Sequence, residues 1–509
     1  MLEHLLASWA RSSLPTTEIR RTAYFKTQRA SRGCFARVVV VGALLGPTSA
    51  AARNWRIVPD GSGDAPTIQA GVDSASAGDV VLLAPGTYSW TSQASNPPSM
   101  LRLAPGVSLR GEAGAAVTIL DAESMGRVLE CVDAGPVVIE DLTLQNGLAS
   151  EANGRGGAID ARGASLPAVR RCVFRANVAT GGSARGGAIA CVWAGIEDCE
   201  FVENVAALEG PTNGHGGAIA CTDAEIVRCT FRGNRVRGFE AASGGAVEGI
   251  SPRIVDCVFE DNEAASAGTT IGGAVRATGS PLLSRCAFRR NVVDGHYFSA
   301  TAGAASIGSG SVTDCLFLDN VAKCERGPGR GGALVGDELT VQGSVFVGNA
   351  ALRTNPQGAG QGGAIFAFFR SVIEHSTFVG NSGGTPDGVA CLDLSEGGTL
   401  RSVLITHTTL GQTCRGDATW SCSLLFDNVS GNTVCGTDAG GNMSADPLFC
   451  TDPRTAGDVS IHADSPCAAG SGAGDCGGIG AGVVACAAEA VEARTWSDIK
   501  SLYRGQSAR

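Results

Sequence analysis

The chain has 509 residues, of which 72 are glycine, 5% aromatic and 17% charged. That composition suits a turn-rich β protein rather than a helical one. A formal net charge of −10 argues against nucleic acid as the main partner.

The chain opens on a polar, basic stretch that includes Arg20, Arg21, Arg29 and Arg32. A short apolar core follows from Val38 to Gly46, too short to span a bilayer, and then a small-residue exit. This predicts a targeting segment over residues 1–52, cleaved near Ala50–Ala52. The protein is then exported, to the extracellular space or the outer-membrane surface of a bacterium. No later stretch reads as a transmembrane span.

Residues 53–110 are expected to form an N-terminal cap and the first coils. Pro66 suits a first helical turn, and Ile68, Val72 and Ala75 give one apolar stripe. A short helix here would cover the open end of a sheet stack. Asp60-Gly-Ser-Gly-Asp64 reads as a turn, because the other ligands of a calcium loop are missing. Val80–Tyr88 and Met100–Arg110 are the first strands. Val117–Leu120 and Val128–Leu144 bring the chain into register, with Leu142 and Leu144 in the slots that later hold Cys and Phe.

Within residues 111–486, the stretch 156–381 spells one pattern eight times: Gly-Gly-Ala-Ile/Val/Leu, about ten residues, then Cys-x-Phe-x-x-Asn. The phenylalanines (Phe174, Phe201, Phe231, Phe259, Phe288, Phe317, Phe346, Phe378) recur every 27 to 32 residues. A fixed period in that range means stacked units, none able to bury its apolar face alone. Apolar positions alternate within each unit, as in Ile196-Glu-Asp-Cys199-Glu-Phe201, which is a strand signature. Gly-Gly before and Asn after each strand are expected to supply the corners. The fold class is all-β, a right-handed parallel β-helix with a short N-terminal capping helix and a Cys-rich C-terminal closure.

Stacking turns columns of the repeat into ladders. Phe should stack inward. Cys172, Cys199, Cys229, Cys257, Cys286 and Cys315 lie two residues earlier and should also face inward, as small apolar filler rather than metal or redox groups. Ser344 and Ser376 take that slot in the last two copies. Asn177, Asn204, Asn234, Asn262, Asn291, Asn320, Asn349 and Asn381 should form an amide ladder. Just before the Cys column stand Arg171, Asp198, Arg228, Asp256, Arg285 and Asp314, alternating in sign. Every charge in such an outward column would have opposite neighbours above and below.

Insertions of changing length separate each Asn from the next Gly-Gly, and in a solenoid they line up along one edge. These insertions carry Glu209, His215, Arg235, Arg237, Phe239, Glu240, His296, Tyr297, Phe298, Lys323, Glu325, Arg326 and Arg330. Exposed aromatics near Arg and Glu suit sugar rings or a protein surface. These residues are the candidate ligand-binding edge. Should the edge be catalytic, His215, His296, Tyr297, Arg235 and Arg237 are the candidates.

Beyond Asn381 the repeat decays, though Leu400–Ile405 and Leu424–Asn428 still look like coil strands. Cysteines at 391, 414, 422, 435, 450, 467, 476 and 486 form no Cys-x-x-Cys, so disulfides are expected rather than zinc. Asp446–Cys486 should supply the last turns and the closure, and residues 487–509 a tail or helix.

The Gly-Gly-Ala-Ile plus Phe-x-x-Asn pairing resembles the repeats of the polymorphic outer-membrane proteins, which are surface adhesins. Asp64-Ala-Pro-Thr-Ile-Gln-Ala70 and Val81-Leu-Leu-Ala-Pro-Gly-Thr-Tyr88 resemble the start of pectate-lyase-like β-helix proteins, a group of enzymes and non-enzymes. The clustered-carboxylate, Gly-His and Arg-Ile-Lys motifs of the enzymes are not found. The reading is therefore a non-enzymatic protein that binds a polysaccharide or a cell-surface protein, without cofactor or metal. A polysaccharide lyase or hydrolase is the alternative, and calcium belongs only to that alternative. A structural envelope protein is a second alternative.

Overall fold

The computed structural model describes residues 52–93, 98–206, 213–355, 359–470 and 476–486. The targeting segment up to Ala51, Glu209 and the 487–509 segment lie outside these residues. What is described is an all-β parallel solenoid. Among the described residues α-helix is confined to Ile68–Ser74 and a single turn at Pro453–Ala456. Among the described residues no helix is long and apolar enough to cross a membrane.

The N-terminal helix caps the first coils as expected, with Ile68, Gly71 and Val72 buried. Its start differs by one residue. Thr67 is the cap, its hydroxyl accepting from the Ala70 N–H at 3.2 Å, so Pro66 lies just outside the first turn. Asp60 folds back to accept from the Ser62 N–H and hydroxyl, at 2.9 and 2.6 Å, and the segment is a turn.

Each repeat lays down three strands in parallel register with those of its neighbours. One follows Gly-Gly-Ala, one precedes Cys, and one carries Phe. The first two columns fuse where Ile189–Glu197 and Ile219–Val227 run unbroken through both, and a Cys191–Cys221 disulfide ties those two strands. The third column is a thirteen-stranded sheet in which Leu144 pairs with Phe174, and each Phe with the next. The rings stack with centroids 4.6–4.9 Å apart and planes within 9° of parallel.

The Asn side chains form the expected ladder. From Asn204 to Asn349 each Nδ2 donates both to the next Asn Oδ1 and to the carbonyl of the Phe one coil back, as Asn234 does to Asn262 and Phe201, both at 3.0 Å, while Asn177 uses the Leu144 carbonyl and Asn381 ends the ladder on Phe346. The Cys column is buried but is more than filler. Cys199 Sγ accepts from the Cys172 N–H at 3.4 Å and donates to the Glu197 carbonyl at 3.2 Å. Ser344 Oγ makes the same two bonds, to Cys315 N and the Gln342 carbonyl, which is why serine can take the slot. Burial pushes the Cys199 and Cys257 thiols up, as for an inert structural cysteine.

The corners depart from the sequence reading. The first glycine of each pair does turn left-handed (Gly186 at φ +61°), and Ala302 does so in the sixth copy at φ +63°. The Asn residues do not. The residue before each Asn takes that conformation instead, as at Glu203, Asp261 and Arg290. So does the charged residue before each Cys, from Arg171 at φ +50° to Asp314 at φ +54°.

That charged column is also not a continuous ladder. Arg171, Arg228 and Arg285 each reach back one coil, to Asp141, Asp198 and Asp256, with Nε–Oδ1 distances of 2.7 Å. Arg171 and Arg228 also hold Glu140 and Glu197. No ion pair runs forward to the next acid among the described residues. Arg171 and Arg228 each turn Nε and Nη2 toward the acids of the preceding coil, which aims the guanidinium away from the next acid.

At the C-terminal end three disulfides form, Cys414–Cys435, Cys422–Cys476 and Cys450–Cys486, while Cys391 and Cys467 are buried thiols. The expectation of further turns from Asp446 to Cys486 is corrected. This segment runs back along the outer face of the Phe sheet. Val459 packs on Val347 and Val379, and Ile461 and Ile479 join Leu404 and Leu424. The Ala481 N–H donates to Thr377 Oγ1 at 2.9 Å.

Candidate functional site

The insertions between Asn and Gly-Gly are not loops. Among the described residues five of the seven form a pair of short strands, the first and last show one strand each, and together they stack into a fin on one corner of the solenoid. Its inner layer is an eight-stranded sheet that includes Arg235–Gly238, Val292–Gly295 and Val321–Cys324. The second layer is a five-stranded sheet from Asn213–His215 to Gly329–Arg330. Between them lies a thin core of Ala179, Ala206, Val236, Ala242, Ala264, Val293 and Cys324. Such small side chains let the two layers approach closely and make the fin thin.

The predicted edge residues divide among three places. Phe239, Glu240, His296, Tyr297, Phe298, Glu325 and Arg326 stand at the tip, in the turns between the two layers. Backbone bonds stack these turns coil on coil: Gly268 N–H to the Phe239 carbonyl, Tyr297 N–H to Ala267, Arg326 N–H to His296. Phe239, Tyr297 and Phe298 are 60%, 48% and 69% exposed. The Arg326 guanidinium lies over the Tyr297 ring at 5.1 Å, and His296 pairs with Glu325.

Arg235, Arg237 and Lys323 are on the outer face of the eight-stranded sheet. Arg235 pairs with Glu263 at 3.5 Å and Lys323 with Asp294 at 2.9 Å. The register runs Arg237, Ala265, Asp294, Lys323, so Ala265 leaves a gap beside Arg237. A hollow of about 430 Å³ opens there and continues to His296 and Glu325 at the tip.

His215 and Arg330 face the opposite way, into a cleft between the five-stranded sheet and the strands that follow Gly-Gly-Ala. At one end Arg330 packs over Phe366 at 5.4 Å and fills the cleft. At the other, His215 Nδ1 lies 2.8 Å from Glu248 Oε2, which also accepts from the Ser243 hydroxyl at 2.7 Å. Arg276 holds the other Glu248 oxygen at 2.6 Å. Burial works to raise the Glu248 carboxyl, but His215, Arg276 and Ser243 outweigh it and hold it below the usual carboxylate range. The five catalytic candidates are thus not one constellation: His215 is on the cleft face, His296 and Tyr297 at the tip, Arg235 and Arg237 on the outer face.

Sequence reasoning missed the residues around His215, namely Ser243, Glu248, Arg276, Arg155 and Arg185. Two columns of the repeat would have found them. The residue before each Gly-Gly lines one wall, and the residue after Gly-Gly-Ala-Ile/Val lines the floor. Two floor carboxylates, Asp160 and Glu248, stand three rungs apart, about 14 Å at ordinary strand spacing. That exceeds either paired-carboxylate separation of a glycosidase. Among the described residues no group of three or more His, Cys, Asp or Glu is placed to hold a metal ion.

No family model matches the chain, and no curated protein matches it. Similar solved structures include the following three. A pectate lyase, Pel9A, has a TM-score of 0.28 and 13% identity, over 79% of this chain and 84% of that one. A rhamnogalacturonan lyase has a TM-score of 0.29 and 12% identity, over 79% and 91%. The A-module of the Azotobacter vinelandii mannuronan C-5 epimerase AlgE6 has a TM-score of 0.26 and 15% identity, over 75% and 95%. Likeness this distant says nothing of this chain's activity.

Proposed function

We propose that this chain is an exported, non-enzymatic β-solenoid that binds a surface glycan along the tip and outer face of its fin, in the manner of an adhesin. The observation that carries the reading is the tip itself. Three exposed aromatic rings and a guanidinium are held on stacked, hydrogen-bonded turns, beside a hollow with charged walls. An aromatic face presented to solvent costs hydration free energy and suits the C–H face of a sugar ring, while Arg, Asp and Glu reach its hydroxyls. The turns are fixed by backbone bonds, so little ordering is required on binding.

Replacing Tyr297 and Phe298 together by alanine is expected to weaken retention in polysaccharide-containing gels about tenfold or more, the loss of two desolvated aromatic contacts. Both side chains are exposed, so thermal stability should hold. Unchanged retention would contradict the reading.

One observation favours a second reading, a polysaccharide lyase or hydrolase. With Nδ1 of His215 held by Glu248, its Nε2 is left to exchange a proton with a ligand in the cleft. Calcium would enter only with this second reading. Turnover lost in His215→Ala but kept in Tyr297→Ala would establish it.

A further inference from the structure

The cleft beside His215 carries an inference that is independent of the fin tip. Arg155, Arg185 and His215 occupy three consecutive rungs of one wall, joined by parallel bridges. At about 4.8 Å per rung, three like-charged or chargeable groups in a row destabilise one another unless each is neutralised. Two are. Arg155 Nε lies 3.3 Å from Asp160 Oδ1, and His215 has Glu248. The middle one is not: Arg185 has no ion-pair partner among the described residues. The floor between Asp160 and Glu248 is Ala190 and Ala220, which bring neither charge nor bulk. The result is a hollow of about 330 Å³ into which Arg155, Arg185, His215 and Arg276 face, with Glu248 the one carboxylate among its lining residues. A cationic hollow on a chain of formal net charge −10 is a local inversion of the molecule's own field.

The Asp160 end of this hollow is tied by hydrogen bonds and ion pairs. Beyond Asp160, the buried Arg127 donates to the Arg155 and Gly156 carbonyls and to Glu151. Arg162 holds Asp160 at 2.9 Å. On the open side, Val192 and Ile250 are exposed, an apolar rim for the body of a ligand whose charged end lies inside.

We infer that this hollow is an oxyanion-binding site, with Arg185 supplying the planar pair of N–H donors that a carboxylate or sulfate group fits. The group comes either from an acidic sugar or from a free anion. His215 and Arg155 border the site, held by Glu248 and Asp160, carboxylates they share with Arg276 and Arg162.

Isothermal titration of the full chain with glucuronate, with glucose as the uncharged counterpart and with inorganic sulfate, tests this. Glucuronate or sulfate should release heat, glucose none, and added salt should weaken the response. Arg185→Ala should weaken the anion about tenfold or more, the loss of a bidentate charge-assisted contact, and Arg185→Lys should restore part of it. The His215 ring signals should shift on titration. Glucuronate bound more tightly than sulfate assigns the site to an acidic sugar, and the reverse order to a free anion. No response to either anion at millimolar concentration, or a response unchanged in Arg185→Ala, overturns the proposal. Because Tyr297→Ala with Phe298→Ala should leave this titration intact, failure of the fin-tip reading and failure of this one are told apart.

Discussion

Asn262→Ala should lower the unfolding free energy by about 3–6 kcal/mol, because two or three buried groups lose their partners at about 1–3 kcal/mol each. All four bonding positions of this one amide are used. Oδ1 accepts from the Asn234 backbone N–H and Nδ2, both at 3.0 Å. Nδ2 donates to the Phe231 carbonyl at 3.0 Å and to Asn291 Oδ1 at 2.9 Å. Asn262 is fully buried, so water cannot take the place of the lost amide. Asn262→Asp should fail as well, since an acceptor would then face Phe231 O and Asn291 Oδ1. Urea denaturation followed by far-UV circular dichroism reads the effect, and a loss under about 1 kcal/mol would contradict the ladder's role.

A comparable loss, about 4 kcal/mol or more, is expected for Gly273→Ala, in the range reserved for substitutions that force backbone to move. A Cβ at Gly273 would sit 2.0 Å from the Gly303 carbonyl oxygen and 2.7 Å from the Val292 carbonyl carbon. Both belong to backbone that is itself fixed in the stack, so no side chain can swing aside. Gly195→Ala is the control. Its Cβ would meet nothing nearer than a Trp193 ring atom at 3.9 Å. Removing that glycine should change stability by less than about 1 kcal/mol, in the stabilising direction through the unfolded chain. Similar losses for the two variants would mean that the second glycine of each pair is not there for close coil-to-coil contact.

These two positions also show how far the sequence could be read. Asn262 and Gly273 belong to columns visible by eye, so the Phe, Cys and Asn ladders and the strand positions were legible, as was the capping helix, whereas the charged column pairs in one direction only. The chemistry of the corners was not. Asn tolerates a left-handed backbone, yet Glu203, Asp261 and Arg290 adopt it while Asn supplies hydrogen bonds. Propensity alone cannot choose between adjacent residues when one of them is needed for its side chain. The insertions were read as loops because strands of two to four residues, rich in Ala and Gly, leave no periodicity to find.

The course of the C-terminal segment did leave a signal. Outward positions just after the buried Phe are Arg175, Val202, Arg232, Glu260 and Arg289 in earlier coils, then Leu318, Val347 and Val379. A run of apolar side chains on a face that was mostly charged announces a cover, and residues 449–470 and 476–481 supply it. The candidate sites were half legible. Tyr297, Phe298, Arg326 and His215 stand out as unusual residues in a Gly- and Ala-rich chain. Ala190, Ala220 and Ala265 do not, although the gaps they leave form the two hollows. A missing side chain becomes informative only once the register says what stands beside it.

The measurement closest to the central claim is retention of the purified chain on immobilised acidic and neutral polysaccharides, with and without calcium, with the absorbance of unsaturated products read in the same samples. Retention without product, reduced by Tyr297→Ala with Phe298→Ala, is the result this account predicts. Product formation, or retention indifferent to those two side chains, would contradict it.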